Sequence, residues 1–425
     1  MLNAEDNRLL TKTDAGTPMG SFMRSFWLPV AVSYEVAERN GPPLRLKILG
    51  EDLVLFRDSE GRVGLVDESC PHRLSSLFFG RNEDCGIRCI YHGWKFDVTG
   101  ACVDMPSEPP SSKLKNKIKL KAYPTHEAGG LIWAYMGTQD TAPQFPQFDW
   151  ADLPESHRYA SRWEQDSNYL QALEGEFDTG HVGFLHSSLD DFDESPFSLN
   201  GIYVRGDLVP KWEIIHTPTG MTAASYRNVD ETKVLWRWNQ FLLPVFSMPS
   251  EEQHKPQFIR IWLPRDDIST SVICVSFRYD RPVADNELTE WRAGISHHRD
   301  VVPGTTRPIA HAGNDYLIDR EKQRTKTYSG IEGVRNQDAA AVESQGRIVD
   351  RTREHLGTSD AGVIQLRKCL MRNVRNFLNG EHSQLLTDGS LYRLKSGQIL
   401  APAHLRFEEL SGTGGSRDLL ATIND

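Results

Sequence analysis

Cys70-Pro71-His72-Arg73-Leu74 and, nineteen residues further on, Cys89-Ile90-Tyr91-His92-Gly93-Trp94 are the stretches on which the reading of this chain turns. Each offers one thiolate and one imidazole two or three residues apart, so each can close a tight loop on metal. Two thiolates and two imidazoles suit a [2Fe–2S] cluster in which one iron takes both cysteines and the other both histidines. Zinc accepts the same donors. Zinc-finger spacing, however, groups the cysteines as one pair and the histidines as another, whereas here each loop carries one of each. The cluster is the better fit.

With their flanking residues, the two stretches resemble the cluster loops of Rieske proteins. Respiratory Rieske proteins have two further cysteines that join the loops by a disulfide; the matching positions here are Ser75 and Tyr91. The resemblance therefore implies the lower-potential type, which feeds an oxygenase or another redox partner. Leu74 is a departure, because oxygenase relatives commonly have glycine after the arginine.

A second constellation lies between Asn168 and His186 and includes Asp178, His181 and His186. If this run is helical, Asp178 and His181 share a face. His186 is five residues beyond His181, within reach of the same ion at a helix end or irregular turn. A non-haem Fe(II) oxygenase needs two histidines and a carboxylate on one side of the metal, with positions left open for O2 and substrate. The run resembles the Asp-x-x-His-x-x-x-x-His iron site of Rieske oxygenase large subunits. For the third ligand, Asp338 in Asn336-Gln337-Asp338-Ala339-Ala340-Ala341-Val342-Glu343 adjoins a small apolar stretch able to pack on the histidine segment. Residues 337–351 also resemble a run of phthalate-type relatives whose first Asp binds iron. Asp315, Asp319 and Glu343 are the alternatives. The resemblance further implies that Asp178 bridges His181 to His92 of a neighbouring subunit, and that Asn168 and Gln171 lie near the iron pocket. The acidic run 190–194 reads as a solvated loop.

Composition sets outer limits. At 425 residues the chain is long enough for two domains, and a net charge of −10 argues against nucleic acid as a partner. No apolar stretch approaches the ~20 residues that span a bilayer. The first residues lack the basic and apolar regions of a signal peptide, so the cytoplasm is the expected compartment. Of six cysteines, two belong to the cluster; Cys85, Cys102, Cys274 and Cys369 read as free thiols.

From Leu44 to Val66, short apolar runs broken at Gly50-Glu51-Asp52 and Asp58-Ser59-Glu60-Gly61 predict strands and hairpins. Gly137 to Pro154, with three prolines, reads as the domain boundary. Strands are expected at 234–241 and 271–277. Val363, Leu366, Leu370, Val374 and Phe377 recur at helical steps, with Ser359 as N-cap and Gly380 as terminator. Gly412 to Gly415 reads as tail.

The resemblance implies an α+β chain: an antiparallel β Rieske domain at 40–140, and a mononuclear-iron catalytic domain from 1–39 and 155–425 with a curved antiparallel sheet flanked by helices. It resembles the α subunit of a Rieske non-haem iron oxygenase, and within that family the phthalate dioxygenase and aryl O-demethylase group. The activity implied is O2-dependent hydroxylation of an aromatic, carboxylated substrate such as a phthalate or phenoxybenzoate. O-demethylation of a methoxylated aromatic acid is the alternative; a cluster-only electron carrier is a third reading, which would leave the long second domain unexplained. With no flavin, NAD(P)H or plant-type ferredoxin motif in the sequence, electrons must come from a separate NAD(P)H-dependent reductase, in this group one holding FMN and a plant-type [2Fe–2S] centre. A homotrimer or stacked hexamer is implied. Arg237 and Lys211, on expected strands, are candidates for a substrate carboxylate, which needs a cation in an otherwise apolar pocket.

Overall fold

The computed structural model describes residues 2–138, 142–189 and 206–410. The acidic run 190–194 and the glycine cluster 412–415 lie outside them. The chain divides into two units, one of Thr13–Pro143 with Leu263–Asp267, the other of Met1–Lys12, Gln144–Trp262 and Ile268–Asp425.

The first unit is built from three small sheets. Strands Leu44–Ile48, Glu51–Arg57, Val63–Asp67 and Ala122–Tyr123 form an antiparallel meander. Its first two turns fall where the sequence breaks its apolar runs, with Gly50 and Gly61 at φ of 82° and 87°. A second sheet, Arg81–Glu83, Gly86–Arg88, Lys95–Phe96 and Cys102–Asp104, carries the second cysteine loop between its second and third strands. Val54, Phe56, Val66, Leu77, Ile87 and Phe96 fill a core that continues to Cys70, Cys89 and Trp94. The loops are thus anchored by burial of their own cysteines.

The second unit centres on an eight-stranded sheet. Lys211–Thr217, Gly220–Asn228 and Lys233–Leu242 pair antiparallel along one side, and Arg158–Gln165 pairs with Ser269–Phe277 along the other. Helix Ala361–Leu378 lays Val363, Leu366, Leu370 and Val374 against the first two of these strands. Gly380 follows it at φ 82°. Ser359 is not the N-cap: Asp360 occupies that position, while the Ser359 carbonyl accepts from the Trp212 indole at 3.0 Å.

Helix Tyr169–Gly175 packs on helix Val334–Glu343, whose small Ala339 is almost fully buried. A buried ion cluster fixes the first helix. Glu174 accepts from Arg351 at 2.9 Å and from Arg367 at 2.6 Å, and Arg367 also reaches Glu354 at 2.6 Å. Burial alone would raise the Glu174 carboxyl, but the two guanidinium groups hold it low and ionised. None of the six cysteines forms a disulfide. Among the described residues no helix is long and apolar enough to cross a membrane.

Candidate metal centres and substrate cavity

The two cysteine loops share one hydrogen-bond scheme. Cys70 donates its amide to the Ser75 carbonyl at 2.9 Å and accepts from the Leu74 amide at 2.8 Å. Cys89 does the same with Trp94 at 2.9 Å and Gly93 at 3.0 Å. In both, the fourth residue after the cysteine turns left-handed: Leu74 at φ 58° and Gly93 at φ 76°. Leu74 therefore adopts the glycine-type conformation without the glycine, and loop geometry is kept. The imidazoles of His72 and His92 meet at 4.4 Å between ring centroids, and His72 stacks on Trp94 at 4.4 Å and 8°. His72 Nδ1 is buried and, among the described residues, has no hydrogen-bond partner. A buried ring nitrogen in that state costs free energy, which coordination to iron would remove. The donors fit the cluster.

A left-handed conformation costs a branched residue roughly 1–2 kcal/mol. Leu74 is 74% exposed, so its side chain has little packing to lose. Leu74→Gly is expected to stabilise the first unit by about 1 kcal/mol, read as a higher midpoint for thermal bleaching of the cluster absorbance. An unchanged or lower midpoint would count against strain at this position.

In the second unit, helix Tyr169–Gly175 ends before the metal residues begin. The helical face expected for Asp178 and His181 is absent. They meet instead through a turn, in which Asp178 Oδ1 accepts from the Gly180 amide at 2.7 Å and a short 3-10 helix spans His181–Gly183. The irregular chain brings His186 alongside, with ring centroids of the two histidines 5.0 Å apart. Asp338 arrives from helix Val334–Glu343. Its Oδ1 is 3.1 Å from His186 Nε2 and 3.6 Å from His181 Nε2. Neighbouring ligands at ~2.1 Å from one octahedral ion would stand about 3 Å apart, so the three atoms suit one face of a metal. The outward nitrogens are already held: His181 Nδ1 is 3.3 Å from Asp178 Oδ2, and His186 Nδ1 is 2.6 Å from Gln337 Oε1. This fixes the rings and leaves Nε2 for metal. Burial opposes ionisation of Asp338, yet Arg335 and the two histidines hold its carboxyl far below the ordinary range. Arg335 Nη2 sits 2.8 Å from Oδ2, which leaves Oδ1 facing the histidines.

The alternatives for the third ligand have other partners. Glu343 accepts from the Tyr316 hydroxyl at 2.5 Å and lies 3.8 Å from Arg299. Asp319 caps helix Arg320–Thr325, and Asp315 is exposed.

A cavity of about 270 Å³ opens beside the triad, with Asp178, Arg237, Glu251 and Arg260 also on its walls. Arg237 Nε donates to Ser250 Oγ at 3.0 Å, whereas its Nη1 is buried without a hydrogen-bond partner among the described residues. Lys211 lies elsewhere: it is exposed, with its ammonium 5.5 Å from the Tyr226 ring centre. Gln171 lines the cavity, but its amide bonds the Val342 and Gly346 carbonyls at 3.2 and 2.9 Å and the Val349 amide at 2.9 Å. Asn168 caps its helix and donates to the Thr11 carbonyl at 2.9 Å. Both hold backbone in place. Sequence reasoning missed the chain Asp338–Arg335–Glu176–Arg260, in which Glu176 Oε1 is 3.1 Å from Arg335 and 2.6 Å from Arg260.

Residues 26–124 match the Rieske [2Fe-2S] domain, and residues 134–410 match the family described as LigXa C-terminal domain like. The chain is 34% identical over 429 residues to the 3-chlorobenzoate-3,4-dioxygenase oxygenase subunit of Comamonas testosteroni, covering 96% of this chain and 97% of that protein. It is 37% identical over 394 residues to the phthalate 4,5-dioxygenase oxygenase subunit of Pseudomonas putida, covering 90% and 88%. The solved structure of dicamba monooxygenase bound to dicamba shares the fold, with a TM-score of 0.60 and 17% identity over 84% of this chain and 99% of that one. Two cysteine–histidine loops, a His–His–Asp face and relatives matched along nearly their whole length point the same way: this chain belongs to the Rieske non-haem iron oxygenases, as an α subunit that oxidises aromatic rings with O2 and electrons from an external reductase.

Proposed function

We propose that the substrate is an aromatic carboxylate and that Arg237 binds its carboxylate. The observation that carries this reading is the buried Nη1 of Arg237, left without a partner on the wall of the cavity that also holds His181, His186 and Asp338. Burial lowers the Arg237 pKa, a sign of how poorly that guanidinium is solvated. A carboxylate would supply the missing acceptor with a charge-assisted hydrogen bond. The benzoate and phthalate in the names of two relatives support the same chemistry. Leu185, Val342 and Phe258 give the cavity the apolar surface an aromatic ring needs.

In this reading Cys70, His72, Cys89 and His92 hold the cluster, and His181, His186 and Asp338 hold the mononuclear iron. When bound, the cluster supplies single electrons and the iron supplies O2 activation. Asp178 fixes His181 by accepting from Nδ1 and keeps that ring basic. Arg335 fixes Asp338, while Arg237 fixes the ring of the substrate. The same reading takes a separate reductase, holding FMN and a plant-type [2Fe–2S] centre, as the electron donor, and a trimer or stacked hexamer as the working assembly.

Arg237→Gln keeps a hydrogen-bond donor but removes the charge. It is expected to raise KM and Kd for the preferred aryl carboxylate by about 3 kcal/mol, roughly 100-fold, with little change for the corresponding amide. A screen of benzoates, phthalates, phenoxybenzoates and methoxybenzoates with supplied reductase tests the substrate class and separates dihydroxylation from O-demethylation. Turnover confined to uncharged aromatics would sink the carboxylate assignment.

A further inference from the structure

Glu251 is another polar group of the cavity wall that metal binding does not use. It lines the same cavity as Arg237, yet among the described residues the two form no ion pair. His297 Nε2 stands 3.8 Å from Oε1, beyond hydrogen-bond reach. The charged and titratable groups facing Glu251 come from several elements: Arg237 on strand Lys233–Leu242, Arg260 on strand Gln257–Asp266, Glu252 and Lys255 on its own segment, and His297 after helix Asp285–Arg292. Burial pushes the Glu251 carboxyl up to about 7, against the pull of Arg237 and Lys255. His297 is held neutral by burial and by nearby Arg260, with its Nδ1 3.1 Å from Ser276 Oγ.

An anionic ligand changes this balance. A carboxylate placed on Arg237 takes up the positive charge that favours an ionised Glu251 and adds a negative charge nearby. Two carboxylates sharing one desolvated site do not both stay ionised; one of them takes a proton. A free aryl carboxylate is the more acidic of the two, and Glu251 is the group already displaced toward its neutral form. A second cavity, of about 320 Å³, is also lined by Glu251, together with the exposed Gln253 and His254. Water can therefore deliver a proton to the carboxyl from outside the substrate cavity.

We infer that Glu251 takes up one proton from solvent when an aryl carboxylate binds at Arg237, and that the resulting neutral carboxyl group positions the ligand as a hydrogen-bond donor. The inference rests on the carboxylate-binding role proposed for Arg237. It makes Glu251 a positioning residue selective for anions: an uncharged amide of the same shape brings no charge and calls for no proton.

The test is calorimetric titration of the iron-loaded, cluster-containing chain with 3-chlorobenzoate, without reductase, in pairs of buffers that differ in ionisation enthalpy. This acid is fully ionised above pH 6, so proton uptake reports the protein. From pH 7 to 9 the wild type is expected to take up from about half a proton per ligand to close to one, and Kd to weaken toward tenfold per pH unit. Glu251→Gln is expected to take up none and to show a flat Kd. The neutral 3-chlorobenzamide is expected to bind wild type without proton uptake. An infrared difference spectrum of unmodified protein, showing a protonated carboxyl band only when 3-chlorobenzoate is bound, gives the same answer should the variant fold poorly. Binding of 3-chlorobenzoate with no proton uptake, uptake that persists in Glu251→Gln, equal uptake with the amide, or no carboxyl band would each overturn the role of Glu251 while leaving Arg237 standing. No binding of any benzoate or phthalate at any pH would overturn both assignments together.

Discussion

Asp338→Ala is expected to give a protein that still takes an electron from its reductase but turns over nothing. Asp338 contributes the only carboxylate among the three donors that converge within 4.8 Å of one another at this centre. Removing it leaves the two imidazoles and, beside them, Arg335, whose guanidinium loses the partner 2.8 Å away and keeps Glu176 at 3.1 Å. The site then carries one negative charge fewer, which weakens its attraction for a dication. Loss of an outer-shell partner alone costs about 10–100-fold in metal affinity, so loss of a ligand should exceed roughly 100-fold. Iron in the purified variant should fall to what its acid-labile sulfide accounts for. The Rieske absorption and EPR signals should stay as in wild type, because Cys70 and Cys89 are anchored in the core of the other unit. Glu343→Gln is the control. Its carboxylate bonds Tyr316 and lies near Arg299, so that variant should keep its mononuclear iron. Full iron and turnover in Asp338→Ala would show that the third ligand has been misassigned.

Much of this centre could be read in the sequence because its donors lie close along the chain. Cys70 and His72, Cys89 and His92, and His181 and His186 are each near neighbours, so residue type and spacing alone limit the chemistry. Asp338 is remote, and was found through its alanine-rich surroundings and its resemblance to relatives. What failed is what depends on pairing register. Arg237 and Lys211 look alike in sequence, each a basic residue on an expected strand. In the sheet, Arg237 pairs with Ser225 and Lys211 with Tyr226. Since Ser225 and Tyr226 are adjacent on one strand, their side chains point to opposite faces. Register therefore puts one base at the cavity and the other toward solvent, and no local pattern reveals which. Glu176, Arg260 and Arg335 come from three separate elements and read individually as ordinary surface charges. Glu251 was invisible for the same reason: its character comes from burial beside Arg237 and His297. The expected helical pairing of Asp178 with His181 gave the correct contact by the wrong route, since spacing of three residues serves a turn as well as a helix.

Asp178→Asn separates the holding of metals from the passage of electrons between them. The side chain keeps its shape and can still accept from His181 Nδ1, so both metal centres should load. What disappears is the charge. Burial would raise the Asp178 carboxyl, but hydrogen bonds to His181 and the Gly180 amide keep it low and ionised, and in that state it raises the basicity of the ring it holds. The side chain stays 32% exposed and lines the cavity beside the triad. Reduction of the cluster by the reductase should remain near the wild-type rate, while reoxidation of the cluster by O2 in the presence of substrate should slow by at least the ~10–100-fold typical of such outer-shell changes. Mixed oligomers then ask which chain the electron comes from. Cys70→Ser chains lack a working cluster and His186→Ala chains lack the mononuclear iron, so neither should turn over alone. If transfer crosses between subunits, verified mixtures of the two should recover activity, because an intact cluster then serves an intact iron. That recovery should be lost when Asp178→Asn is added to the Cys70→Ser chain, which carries the working iron, and kept when it is added to the other. Mixed oligomers without activity, or recovery indifferent to which chain carries Asp178→Asn, would mean that Asp178 only orients His181 and that electrons travel by another route.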